Sequence, residues 1–161
     1  MASSIRVSGL DEVQREAEGM STRAINLSAV LAPLAQDLRT LIDNSFQQSR
    51  SPGGDDWRPL SPRTIARRRH GSGSGPRAKP LIDTGRLRNS LQVVAQPRSI
   101  QFGTSVEYAG PQQFGTKTIP ARPFLPVTGS GEFMNAGPAE AWLDEAAEMI
   151  ADYIETGRVR K

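Results

Sequence analysis

The sequence predicts an α+β fold: a small antiparallel sheet packed against two longer helices, with a long flexible basic loop and an extended proline-rich segment. Three observations predict it. Apolar residues recur at helical spacing near both ends of the chain, and two short β-prone runs stand side by side at 91–96 and 99–104. Between the first helical region and those runs, residues 50–80 lose all periodicity and are dense in Gly, Pro and Arg. A chain of 161 residues is expected to form a single domain carrying that loop.

Residues 5–8 alternate apolar and polar, as a short strand would. From Asp11 the residues Val13, Ala17, Met20, Ala24, Leu27, Leu31, Leu34, Leu38 and Leu41 repeat at intervals of three and four, the stripe of a helix that buries one face in the core. Gly19 and Pro33 oppose one unbroken helix, so a short helix near 11–21 and a longer one near 28–48 are expected. In the loop, Pro62 suits a first helical position with Ser61 as cap, which predicts a brief helix within PRTIARRRH. Composition alone gives the rest of 50–80 too few apolar residues to offset its ordering entropy, so it is expected to order mainly against other chains.

In the β-prone runs, Val93 with Ala95 and Ile100 with Phe102 would share one face of a hairpin turned at Pro97-Arg98. Prolines 120, 123 and 126 mark the following segment as extended edge backbone, unsuited to a central strand. A last helix is expected at 138–156, opened by Pro138 and stopped by Gly157, with Arg158, Arg160 and Lys161 near its negative end.

Composition narrows the function. There are no cysteines, which excludes disulfides and thiolate metal sites, and the single histidine, His70, cannot build an imidazole-rich one. No apolar run approaches the ~20 residues of a membrane-spanning helix. The start, MASSIRVSGLDEV, lacks the apolar core of a signal peptide, so a cytoplasmic, membrane-free protein is expected. The net charge is only +3, yet between positions 58 and 88 nine Arg and Lys residues face the lone acid Asp83. That asymmetry speaks of partners.

Catalytic patterns are sparse. Asp83-Thr84-Gly85 is the triplet of aspartic proteases, in which two carboxylates share a proton, but Arg86 and Arg88 directly follow and would hold both carboxylates ionised. The structural reading has Asp83 capping a short helix-like stretch at 85–91. His70 adjoins GSGSG, where nothing would hold a general base in register. Asp55 and Asp56 read as solvated turn acids. No phosphate loop or dinucleotide fingerprint is present.

The candidate contact residues are therefore non-catalytic. Arg63, Arg67, Arg68 and Arg69 read as a solvated run, as phosphate contacts, or as partners for an acidic protein surface. Trp57 is the one aromatic near them. Tyr108, Phe114 and Phe124 lie among Gly and Pro at neither helical nor strand spacing, so they read either as anchors onto the core or as outward interface contacts.

Four segments occur in a distinctive order: Gly54…Trp57-Arg58-Pro59-Leu60-Ser61-Pro62-Arg63-Thr64, Pro80-Leu81-Ile82-Asp83-Thr84-Gly85-Arg86-Leu87, Tyr108-Ala109…Gln113-Phe114-Gly115-Thr116, and Ile119-Pro120-Ala121-Arg122-Pro123-Phe124-Leu125. Together they resemble the phage virion-morphogenesis family, which includes tail-completion proteins of tailed phages and prophages. Many relatives have His or Glu before the Gln-Phe-Gly triplet, where this chain has Gln112, so that position is given no special role. The resemblance implies a structural virion protein at the head–tail junction, assembled in the host cytoplasm, with no cofactor, metal or small-molecule substrate. It also implies a homo-oligomeric ring, six copies favoured over twelve, meeting neck, tail-terminator, tail-tube or head-connector proteins, with DNA in its channel. The alternatives are a basic nucleic-acid-binding module of a mobile element and an aspartic-type protease.

Overall fold

A computed structural model of the chain describes residues 10–68 and 79–159. The expected strand at 5–8 lies outside the described residues, as do Arg69, His70, Arg160 and Lys161.

The first helical stripe divides into α1 (Leu10–Ile25) and α2 (Ser28–Gln48), but neither expected breaker makes the break. Gly19 lies inside α1, where glycine costs only roughly 0.5–1 kcal/mol relative to alanine, so the helix runs on past 21. Pro33 lies inside α2, where its missing N–H forfeits the one bond to Ala29 and the helix continues through it. The break is made by Asn26, whose side-chain Oδ1 accepts from the Ser28 N–H at 3.0 Å. Leu27 then donates its N–H to the Pro97 carbonyl at 2.8 Å, tying the start of α2 to a distant turn.

That turn belongs to the hairpin of β1 (Gln92–Ala95) and β2 (Ile100–Gly103), which pair antiparallel. Val93 sits opposite Phe102 and Ala95 opposite Ile100, so the expected apolar face forms and packs against the core beneath α2. A repeat of four along α2 buries Val30, Leu34, Leu38, Ile42 and Phe46. Its N-terminal half joins a cluster with Ala146, Met149 and Ile150, and its C-terminal half joins one with Trp57, Leu87, Leu91 and Phe124.

Ala146, Met149 and Ile150 lie on the last helix, α6 (Gly137–Thr156). It opens with Pro138 in its first turn and ends at Gly157, as the sequence predicts. Gly137 has φ 57°, and a Cβ there would stand 2.6 Å from the Gly53 carbonyl oxygen, so the contact requires glycine. The cation at its far end comes from an unexpected place. Arg23 of α1 donates from Nε to the Ile154 carbonyl at 2.6 Å and from Nη2 to the Glu155 carbonyl at 2.8 Å, a role the sequence assigns to the C-terminal basic residues.

The apolar stripe of α1 is not a core face. Val13 is 64% exposed and Met20 40%, and Ala17 and Ala24 are exposed too. α1 packs on α6, whose apolar face is already taken by α2, so little apolar surface remains for α1 to cover.

Candidate interaction cleft

Residues 49–61 form a tight turn and a strap. Ser49 leaves α2 with φ 56°, Ser51 donates its N–H to the Asp55 carbonyl at 2.7 Å, and the Arg50 guanidinium pairs with Asp56 at 2.8 Å. Trp57 then enters the core. Its indole N–H donates to the Pro123 carbonyl at 2.7 Å and its ring meets Phe46 edge-on with centroids 5.7 Å apart. Residues 50–68 therefore order against their own chain, contrary to the compositional expectation. One large aromatic supplies the buried area that residue counts fail to register. The short helix α3 (Pro62–Arg67) follows as expected, with the Ser61 hydroxyl accepting from the Thr64 N–H at 3.2 Å.

The Leu81–Leu87 stretch leads into α4 (Arg86–Asn89). Asp83 does not cap it. Gly85, at φ 77°, occupies the N-cap position without a side-chain bond, and the Thr84 hydroxyl accepts from the Arg86 N–H at 3.3 Å. Asp83 remains exposed. α4 is bolted to α2 by Asp43, which takes Arg88 at 3.1 Å and Arg39 at 3.2 Å, while Arg39 also donates to the Leu91 and Arg88 carbonyls.

Where extended backbone is expected from 108, the chain instead forms α5 (Ala109–Phe114). Pro111 lies in its first turn, where an N–H has no helical acceptor to lose. The remaining Pro-rich segment pairs with neither β1 nor β2; side-chain bonds hold it. Gln113, 3% exposed, accepts on Oε1 from the Phe124 and Leu125 N–H groups at 2.9 and 3.0 Å. Its Nε2 donates to the Leu125 and Val127 carbonyls at 3.0 and 3.1 Å, so every capacity of the amide is used. Gly115, at φ 77°, permits the return of the chain, since a Cβ would lie 2.9 Å from the Ala121 nitrogen.

These segments wall a cleft of about 760 Å³ whose lining includes Arg58, Arg68, Asp83, Arg86, Tyr108 and Arg122. All four sequence segments that carry the family resemblance contribute to it. Four arginines face one carboxylate, Asp83, and among the described residues no second acid lines the cleft to share a proton with it. Arg122 is only 6% exposed and donates from Nε to the Arg58 carbonyl at 2.9 Å and from Nη2 to the Pro59 carbonyl at 3.3 Å. It makes no ion pair among the described residues. Its pKa is lowered from the ordinary arginine value, first by burial and then by the charges of Arg68 and Arg58. An arginine nevertheless stays protonated, so the cleft holds a recessed positive charge that no acid among the described residues pairs with.

The predicted contact residues separate into three groups. Arg68 lines the cleft and donates to the Lys79 and Ile82 carbonyls at 2.6 and 3.1 Å, while Tyr108, 42% exposed, lines the same cleft. Arg63 and Arg67 are exposed on α3, and Phe114 is exposed on α5. Trp57 and Phe124 are covered by their own chain at 5% and 0% exposure, because both complete the cluster around Phe46; Trp57 is thus not the partner contact it was a candidate for, and Phe124 takes the core-anchor role of its two readings. Arg58, Arg86 and Arg122 were not singled out from sequence. The available signal was that each lies inside one of the four resembling segments.

Among the described residues no His, Asp or Glu grouping of three could hold a metal, and no helix is long and apolar enough to cross a membrane. No curated protein and no solved structure matches the chain. The model of the phage virion morphogenesis family matches residues 9–144, a span that contains all four walls of the cleft, and the chain belongs to that family.

Proposed function

We propose that this virion morphogenesis protein acts at the head–tail junction as a non-catalytic subunit of a closed ring, needed to complete the tail or join it to the head. The observation that carries the reading is the convergence of the four resembling segments on one charged cleft rather than on a catalytic constellation. A cleft lined by arginines and an exposed tyrosine suits a protein contact, because arginine and tyrosine are the side chains that dominate interface energetics. Size supports a closed ring, since a 17.5 kDa subunit cannot surround a DNA-conducting tube alone whereas a head-to-tail contact repeated around an axis can, and six copies are proposed in preference to twelve.

Cryo-electron microscopy of complete particles tests this directly. The expected result is ring density on the tail axis at the junction that this fold fits, together with unjoined heads and tails when the gene is deleted. Copies found off the axis, or infectious particles formed without the protein, would overturn the proposal.

A further inference from the structure

The surface carries a second charged feature, opposite in sign to the cleft. α6 contains Glu140, Asp144, Glu145, Glu148, Asp152 and Glu155 and no Lys or Arg. Glu140, Asp144 and Glu148 follow one another at intervals of four, and Glu155 falls on the same side, so they form a stripe on the helix. All four are exposed, and their carboxylates make no hydrogen bond or ion pair among the described residues. Like charges spaced by four destabilise a helix, and acids near its C-terminus oppose the macrodipole. The stripe therefore lowers the stability of the isolated chain.

We infer that the arginine cleft of one copy takes the acidic stripe of α6 from the next copy. The inference rests on the ring reading above and names its interface. Cleft and stripe carry uncompensated charge of opposite sign, and each contact between them relieves repulsion on both sides. They also lie on different parts of the fold: the cleft is built from residues 58–68, 81–87 and 108–122, whereas α6 packs on α1 and α2. A patch and its complement at separate places on one chain make a heterologous contact, the kind that propagates into a ring.

The shape of the cleft favours carboxylate side chains over a nucleic-acid backbone. Arg122 and Arg68 are recessed and held by backbone carbonyls of the cleft itself, so they are reached by a group that inserts. Arg58 and Arg86 are exposed, with no side-chain bond among the described residues, and stand ready to close as bidentate forks on an entering Asp or Glu. Tyr108 adds an apolar ring with a polar tip to the same wall.

Charge swapping tests the interface without touching the residues that hold the fold. One variant carries Arg58→Glu and Arg86→Glu; the other carries Asp144→Lys and Glu148→Lys. Sedimentation velocity at low and high salt reads association, with circular dichroism as a check that both variants fold. The wild type is expected to self-associate, more weakly at high salt, and each variant alone to lose about tenfold or more in affinity. An equimolar mixture should recover association, because each variant then meets its complement. If both variants associate like the wild type, the ring reading stands and this interface is wrong. A wild type that stays monomeric at every concentration removes the ring and the interface together. If the cleft variant loses binding to a DNA duplex while its self-association is intact, the cleft is a nucleic-acid site and the inference is overturned.

Discussion

The strap at 49–61 and helix α1 invert what their compositions promise. The strap is made of turn residues and yet is pinned, because Trp57 fills the core beside Phe46 and hydrogen-bonds to Pro123. α1 has a well-formed helical stripe and yet leaves Val13, Ala17, Met20 and Ala24 exposed. Periodicity reports that a segment is able to bury a face; it does not report that a complementary face is available. One large side chain with a defined pocket anchors backbone more firmly than a long stripe without a partner.

The strongest test of this contrast is Trp57→Ala. It should destabilise the protein by about 3–5 kcal/mol, as truncation of a buried aromatic does, and lower the denaturant midpoint accordingly. A loss under about 1 kcal/mol would mean that the strap is held by its turn bonds and not by the indole. The next largest effect is expected from Arg23→Ala, which removes both donors to the end of α6. It should cost about 1 kcal/mol and release the amides of α1 to hydrogen exchange while those of α2 stay protected. Equal release in both helices would show that α1 belongs to the main cooperative unit, which would break the comparison. The smallest effect belongs to Val13→Ser, expected within about 0.5 kcal/mol of the wild type in the isolated chain. A larger loss there would show that α1 finds a partner surface in solution.

The same contrast explains what was legible in the sequence. The long helix at 28–48, the hairpin with its apolar face, the Ser61 cap and the opening of α6 at Pro138 were readable because each depends on local spacing or local chemistry. α5 was hidden because its aromatics lie among Gly and Pro at no helical spacing, and its persistence depends on the bonds Gln113 makes eleven to fourteen residues ahead. The cap assigned to Asp83 failed for a related reason: Gly85 takes the cap position through backbone geometry, leaving the carboxylate exposed. The run of arginines drew attention to Arg67 and Arg68, of which Arg68 lines the cleft, whereas the other lining arginines are dispersed at positions 58, 86 and 122. Only tertiary folding gathers them, and a one-dimensional charge count cannot detect that gathering.

Arg68 has one more consequence, for how the cleft responds to force. Through its bonds to the Lys79 and Ile82 carbonyls it ties the end of α3 to the stretch that leads into α4. Two walls of the cleft therefore share one fastener, and a pull on either is transmitted to the other.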